Sequence, residues 1–264
     1  MFDSQHLWRT LRKPSALAAF AAGTFAWVGP AAAQGVDELG AYGGRENYHY
    51  ESPQYGALEV RFGRYVPNVD DEFGGSATPY ADTFGDDSRY LIGLEFDWQA
   101  LRIPHFGSLG PGIGWGYTKS TADSPIASTG ERSDQETSLA IMPMYLVAVL
   151  RVDLLAKDYG IPLVPYGKAG LGYALWWSRS GDESARDDSG AIGRDTSYGW
   201  QFALGGMFLL DSLDERSAIE MDENSGVNNS YFFLEWYVSK LDGFGGDKMN
   251  VGDNTWMLGL ALEY

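Results

Sequence analysis

The chain has 264 residues, a formal net charge of −17 and no cysteine. That length suits one large all-β unit or two small domains. The acidic balance argues against nucleic acid as a partner, and without thiols an exported fold must be closed by something other than disulfides.

Residues 1–33 have the three parts of a secretory signal peptide: a basic start (Arg9, Arg12, Lys13), an apolar stretch from about Ala16 to Val28, and a small-residue exit at Ala31-Ala32-Ala33. Residues 34–56 form an N-terminal periplasmic extension, and residues 57–264 carry the fold. The longest apolar run after the leader, "AIMPMYLVAVL" (140–150), is broken by Pro143, so a membrane-spanning helix is not expected.

Alternation of apolar and polar residues, with turn chemistry between segments, predicts eight strands. The first is 57–66, where Leu58, Val60 and Phe62 share one face and Glu59 and Arg61 the other. The connection 67–88 is long and acidic, with Asp70, Asp71, Glu72, Asp82, Asp86 and Asp87. Such oxygens could bind Ca²⁺ or join divalent bridges to lipopolysaccharide. The EF-hand spacing fails, because Phe73 stands where glycine is required, and a solvated acidic loop is the favoured reading.

The second strand, 89–99, sets Ile92, Leu94, Phe96 and Trp98 against Gly93, Glu95 and Asp97. A short connection, "QALRIPHFG", holds His105. In the third strand, 108–118, glycines 110, 112, 114 and 116 fill one whole face. After a polar loop at 119–136, the fourth strand, 137–152, carries Arg151, and Asp153 follows it. A short turn, "LLAKDYGIP", leads to the fifth strand, 163–176, where Lys168, Gly170 and Gly172 oppose Ala169, Leu171, Tyr173 and Leu175.

A second polar loop, 177–195, precedes the sixth strand, 196–209. In the next connection, 211–229, Ser212 and Glu215 form a capping box and Gly226 a stop, which predicts a short helix serving as a strap or plug at the periplasmic mouth. The seventh strand, 230–239, sets Phe232, Leu234, Trp236 and Val238 against Glu235 and the tyrosines. A loop at 240–253 then leads to the eighth strand, 254–264, whose even positions are large and apolar.

Most of these strands reach about ten residues, the length a tilted strand needs to cross a bilayer. A soluble barrel or sandwich would turn the large apolar face inward, and a soluble periplasmic β-protein is the alternative. Here the opposite face mixes carboxylates, bases and glycine, which suits the narrow lumen of an eight-stranded barrel with its apolar face in lipid. The long connections alternate with short ones, the sixth (211–229) excepted, as expected when both termini lie in the periplasm and the long loops outside.

The fold expected is an all-β, eight-stranded antiparallel up-and-down transmembrane barrel with a short periplasmic helix. Its inward charges would be Glu59, Arg61, Glu95, Asp97, Arg151, Asp153, Lys168 and Glu235. They form either a closed ionic plug, the preferred reading, or the lining of a narrow solute or ion channel.

The ending "TWMLGLALEY" resembles the C-terminal signal by which bacterial outer-membrane proteins are recognised for barrel assembly. Met257, Gly259, Leu262 and Tyr264 fill its positions; Met257 is not polar, and Tyr264 stands where phenylalanine is commoner. More widely, "ALEVRFGRYVPNVD", "LIGLEFDWQALRIPHFGSLGPGIGWGY", "VLRVDLLAKDYGIPLVPYGKAGLGYALWW" and "NSYFFLEWYVSKLDGFG" resemble a family of small outer-membrane β-barrels from myxobacteria. That resemblance implies a barrel of the size of the OmpA or OmpW membrane domains, located in the outer membrane. The implied partners are outer-membrane lipid, lipopolysaccharide and the barrel-assembly machinery, and it carries no activity.

An outer-membrane lipid-modifying enzyme is the remaining alternative, and it is disfavoured. A Ser/His hydrolase needs a histidine base beside its nucleophile, whereas His49 and His105 both fall on the periplasmic side of this topology. No cofactor is expected: "GPGIGWG" lacks GxGxxG, and Ala169 occupies the P-loop Ser/Thr position in "YGKAG". The role expected is structural or interactive, through the acidic loops.

Overall fold

The structure, a computed structural model, describes residues 54–85, 89–125, 132–181, 183–185 and 193–264. The expected leader, nearly all of the expected extension, His49, Asp86 and Asp87 lie outside the described residues.

Eight long antiparallel strands follow one another around a closed barrel: β1 (Gly56–Tyr65), β2 (Arg89–Trp98), β3 (Gly107–Pro125), β4 (Arg132–Arg151), β5 (Leu163–Ser180), β6 (Arg194–Leu209), β7 (Asn229–Lys240) and β8 (Asn254–Glu263). Each pairs with its neighbour in sequence, and β1 pairs with β8 in the register Leu58↔Leu262, Val60↔Leu260 and Phe62↔Leu258. Closure leaves no strand edge along the paired stretches, which is how a chain without cysteine satisfies its backbone where water is excluded.

Pleating sends alternate side chains to opposite faces, and the faces are distributed in reverse of a soluble protein. Leu58, Val60 and Phe62 of β1, Ile92, Leu94 and Trp98 of β2, and Leu234 and Trp256 of β7 and β8 are all exposed on the outside. Glu59, Arg61, Glu95, Asp97, Arg151, Lys168 and Glu235 are buried within. Aromatic groups pair across strands on this outer surface, as in the stacked rings of Phe62 and Tyr90, 5.0 Å apart. Among the described residues no helix is long and apolar enough to cross a membrane.

The connections need two corrections. Among the described residues, segments 119–136 and 177–195 hold strand where loop was expected: pairing of β3 with β4 continues through Thr121↔Ser138 to Asp123↔Glu136, β5 runs to Ser180, and β6 begins at Arg194. Polar Thr and Ser alternate there without an apolar face, so periodicity gave no signal where the hydrogen-bond ladder persists. The connection 211–229 does contain a helix, α3 (Glu215–Ser225), ended by Gly226 at φ 70°. Its cap is Asp214, which accepts from the backbone of Arg216 and Ser217. Ser212 lies in a preceding 3-10 turn and bonds the Leu209 carbonyl instead. The helix also does not plug the mouth, because none of its described side chains is buried; "ERSAIEMDENS" has no continuous apolar stripe to insert.

What fills the two mouths is apolar. Near the termini, Val164, Tyr166, Met207, Tyr231, Phe233 and Ala261 close the lumen. At the other end, Val69 and Tyr80 from the first connection, with Leu241, Met249 and Val251 from the last, pack onto the inward residues Leu91, Ile141, Trp176 and Met257. The first connection folds into a 3-10 turn (Asp70–Phe73) and a short helix, α1 (Pro79–Phe84). The turn after β4 carries α2 (Leu154–Tyr159), and Leu101–Ile103 pairs back onto the start of β3.

Candidate functional site

Beneath the apolar layer away from the termini, and interleaved with the cluster near them, lies a layer of charge. Arg61 on β1 donates to Glu235 on β7 and to the Tyr145 hydroxyl on β4, and its Nη1 is 2.6 Å from Glu95 Oε2 on β2. Lys168 on β5 reaches Glu59 Oε2 at 2.7 Å and Glu95 Oε1 at 2.6 Å, spanning from one wall to the opposite one. Arg151, the last residue of β4, donates to Glu59 Oε1 at 2.8 Å, to Asp97 Oδ2, and to Glu263 Oε1 at 3.4 Å. The network thus ties six of the eight strands together across the lumen.

Five carboxylates (Glu59, Glu95, Asp97, Glu235, Glu263) face three cations here, and phenols supply much of the remaining donation. Tyr145 donates to Glu95 Oε2 at 2.6 Å, Tyr166 to Glu235 Oε2 at 2.8 Å and Tyr231 to Glu263 Oε2 at 2.9 Å. Lys168 Nζ also sits 5.0 Å from the Tyr166 ring centre, and Arg61 Cζ 5.8 Å from that of Phe233, favourable positions for a cation against a π face. Among the described residues, Asp97 Oδ1 and the Nε atoms of Arg61 and Arg151 have no hydrogen-bond partner.

The rings fit because the facing walls are glycine. A Cβ on Gly114 of β3 would lie 2.0 Å from Tyr145 Cζ, and one on Gly205 of β6 would lie 2.8 Å from Tyr166 Cζ. The glycine face of β3 is therefore the seat of Tyr145. The cavity beside Arg61, Gly93, Tyr145, Tyr237 and Met257 measures about 10 Å³, room for about one water molecule.

Among the described residues, Glu59, Glu95 and Asp97 approach one another closely enough to hold a metal ion. The Lys168 ammonium and the Arg151 guanidinium already provide the cationic charge at that point. Asp153 is not part of the layer. The chain leaves strand geometry at Arg151, so the alternation that turns Arg151 inward does not extend two residues on. Asp153 lies at the rim, paired with Arg102 at 3.3 Å and Lys157 at 3.1 Å.

Alternation in sequence already sets Tyr231 on the inward face beside Glu235, whereas four partners were not identified from sequence: Tyr145, Tyr166, Phe233 and Glu263. Each sits an even number of residues from a recognised inward group on its own strand, namely Arg151, Lys168, Glu235 or Gly259, so continued alternation was the available signal.

The acidic loop residues serve local structure. Asp70 accepts from the backbone of Tyr80 at 2.7 Å and of Ala81 at 3.0 Å, holding the start of α1. Glu72 accepts from the backbone of Asn250, joining the first connection to the last. Asp82 accepts from the Thr78 hydroxyl at 3.2 Å, and Asp71 is exposed. Asp253, just before β8, accepts from the backbone of Val66 at 3.1 Å and of Asn254 at 2.7 Å. Burial outweighs these bonds and pushes its carboxyl up to about 6. Burial likewise raises Glu72.

His105 stands in an exposed turn at φ 57°, with Nδ1 3.3 Å from Asp158 Oδ2. At the C-terminus, Gly259 packs under the Phe233 ring, Leu262 is half-buried on the outside, and the Tyr264 carbonyl accepts from the backbone of Tyr55 and Gly56.

No family model matches this chain, and no curated protein matches it. Among solved structures it is similar to the outer membrane protein OprG from Pseudomonas aeruginosa, with 12% identity, a TM-score of 0.46, and 80% of this chain and 96% of that one covered. It is also similar to Ail, the attachment invasion locus protein of Yersinia pestis, with 14% identity, a TM-score of 0.40, and coverage of 80% and 97%. A third similar structure is the N-terminal β-barrel domain of Pseudomonas aeruginosa OprF, with 10% identity, a TM-score of 0.35, and coverage of 80% and 100%.

Proposed function

We propose that this chain is an integral outer-membrane protein whose barrel is a closed, rigid anchor for the segments it carries outside the bilayer, and not a conduit. The observation that supports it most is the inversion of faces: exposed Leu, Phe and Trp surround a lumen filled wall to wall by ion pairs. Apolar groups outside and charges inside are stable together only when the surroundings are lipid. The termini and short turns face the periplasm in this reading, and β3 to β6 project from the outer surface. Lipopolysaccharide is then the lipid met by the outer rim, the barrel-assembly machinery reads Gly259, Leu262 and Tyr264, and divalent cations meet the acidic first connection.

The test has two parts. Purified in detergent, the unboiled protein should migrate differently from the boiled one on a gel, as a detergent-resistant barrel does; identical mobility with recovery in the soluble periplasm overturns the membrane reading. Reconstituted in planar bilayers, the protein should give no steady conductance, and a persistent open current would replace the anchor with a channel.

A further inference from the structure

Acidic residues outnumber basic ones 36 to 19 in this chain, yet the outward faces of the strands reverse that bias at one place. Moving along each strand from the end near the termini, the first charged outward residue is Arg64 on β1, Lys119 on β3, Arg179 on β5, Arg194 on β6 and Lys240 on β7. Glu136 on β4 is the exception, and β2 and β8 carry no outward charge. At the opposite end the outward positions of all eight strands are uncharged; of the bases in the connections there, Arg102 and Lys157 are paired with Asp153, and Arg216 lies on α3, off the strands. A cationic collar therefore marks one edge of the apolar band only.

On β3 to β6 the collar becomes a built surface. One cross-strand row runs Lys119↔Ala140↔Trp177↔Arg194, and the next places Arg179 opposite Ser138. Arg179 and Arg194 are diagonal neighbours, close enough for both to reach one anion. Ala140 is on the outward face of β4 yet only 2% exposed, because its small side chain lets Tyr117 and Trp177 meet above it with ring centres 6.3 Å apart. Lys119 has Glu136 at 3.9 Å; among the described residues no carboxylate lies within ion-pair distance of Arg179 or Arg194.

We propose that this surface binds the phosphorylated sugar headgroup of a glycolipid in the outer leaflet. Arginine forks match phosphate oxygens, and the joined rings of Tyr117 and Trp177 offer a flat amphipathic face with polar edges beside them. The position, immediately above the apolar band, is where a lipid headgroup lies while its acyl chains run down Leu171, Tyr173 and Leu204. The inference rests on the membrane reading above and adds a site and a ligand class to it.

The test uses the full protein in neutral detergent and native mass spectrometry. The probes are a bisphosphorylated acylated glucosamine disaccharide, phosphatidylglycerol, and an uncharged diglucosyl diacylglycerol. The phosphorylated disaccharide should bind roughly tenfold more tightly than either of the others. The triple variant Lys119→Gln, Arg179→Gln, Arg194→Gln should lose roughly tenfold or more of that affinity, while Arg102→Gln with Lys157→Gln at the opposite rim should lose none. Trp177→Leu should reduce the preference over phosphatidylglycerol.

Equal binding of phosphatidylglycerol would show unselective attraction and overturn the proposal. Wild-type affinity in the triple variant, or an equal loss in the opposite-rim variant, would do the same. The gel shift on boiling is recorded for each sample. If the shift is present and selectivity absent, the glycolipid site alone fails; if the wild type shows no shift, the membrane reading fails and takes the site with it.

Discussion

At the scale of the residue, Lys168 shows how this interior is held. The residue is 1% exposed, and its ammonium is shared between Glu59 and Glu95, with Glu235 3.9 Å away. Removing one partner of a buried ion cluster leaves the others uncompensated, at about 3–5 kcal/mol. Lys168→Ala is expected to destabilise the folded barrel by about that amount, read as a lower urea midpoint in lipid vesicles; an unchanged midpoint would mean that water compensates the carboxylates. Gly114→Leu should also destabilise, since the Tyr145 ring occupies the space of the new side chain. Alternation in sequence sufficed to bring Glu59, Arg61, Glu95, Asp97, Lys168 and Glu235 to one face. It could not tell which of them touch, because that depends on strand stagger around the barrel, which no single strand encodes. It misplaced Asp153 because the strand ends two residues sooner.

At the scale of the element, the lid that the first and last connections form over the mouth away from the termini is the most conditional part of the structure. Its two connections are joined by bonds of Tyr65 and Asn68 to the carbonyls of Val251 and Gly252, of Glu72 to Asn250, and of Asp253 to Val66, and they meet the walls through Tyr80 with Ser120 and Ser197 with the Met249 carbonyl. Asp253 is pushed up to about 6 by burial, so the closed lid holds its proton more firmly than the open one does. That contribution is complete below the ordinary carboxylate value of 3.8 and is lost as pH rises through about 6. Glu72, also raised, acts in the same direction. Amides of residues 66–85 and 241–253 should therefore be better protected from hydrogen exchange at pH 5 than at pH 7, after correction for intrinsic rate. Asp253→Asn should flatten much of that difference, and a profile unchanged by the substitution would place the pH sensitivity elsewhere. The lid was illegible in sequence because its apolar contacts, Val69, Tyr80, Met249 and Val251, are isolated within polar loops. Only the closed barrel gives them a common surface to cover.

At the scale of the molecule, the lumen is stopped twice over, by the lid and by the charge layer with the apolar cluster interleaved in it. The barrel should therefore stay closed when either stopper is removed. Replacing residues 68–86 with a short glycine-serine turn is expected to leave planar-bilayer conductance at background; a stable current in that variant would identify the lid as the sole barrier. Strand number, order and closure follow from eight alternating segments with termini at one end, and that much was readable. The outward extension of β3 to β6 was not, since a ladder in water needs no apolar face and leaves no period in composition.

The seam between β1 and β8 also governs time. Leu58 pairs with Leu262 and Phe62 with Leu258, so the ring is completed by partners about 200 residues apart along the chain. Contacts so distant in sequence form late and slowly. Until β8 arrives, β1 and β7 each present an unpaired edge, and Glu263 is not yet there to meet Arg151 and Tyr231. The newly made chain must therefore wait, open and prone to stray pairing, for its final ten-residue strand, and its vulnerability to aggregation is set by the length of that wait.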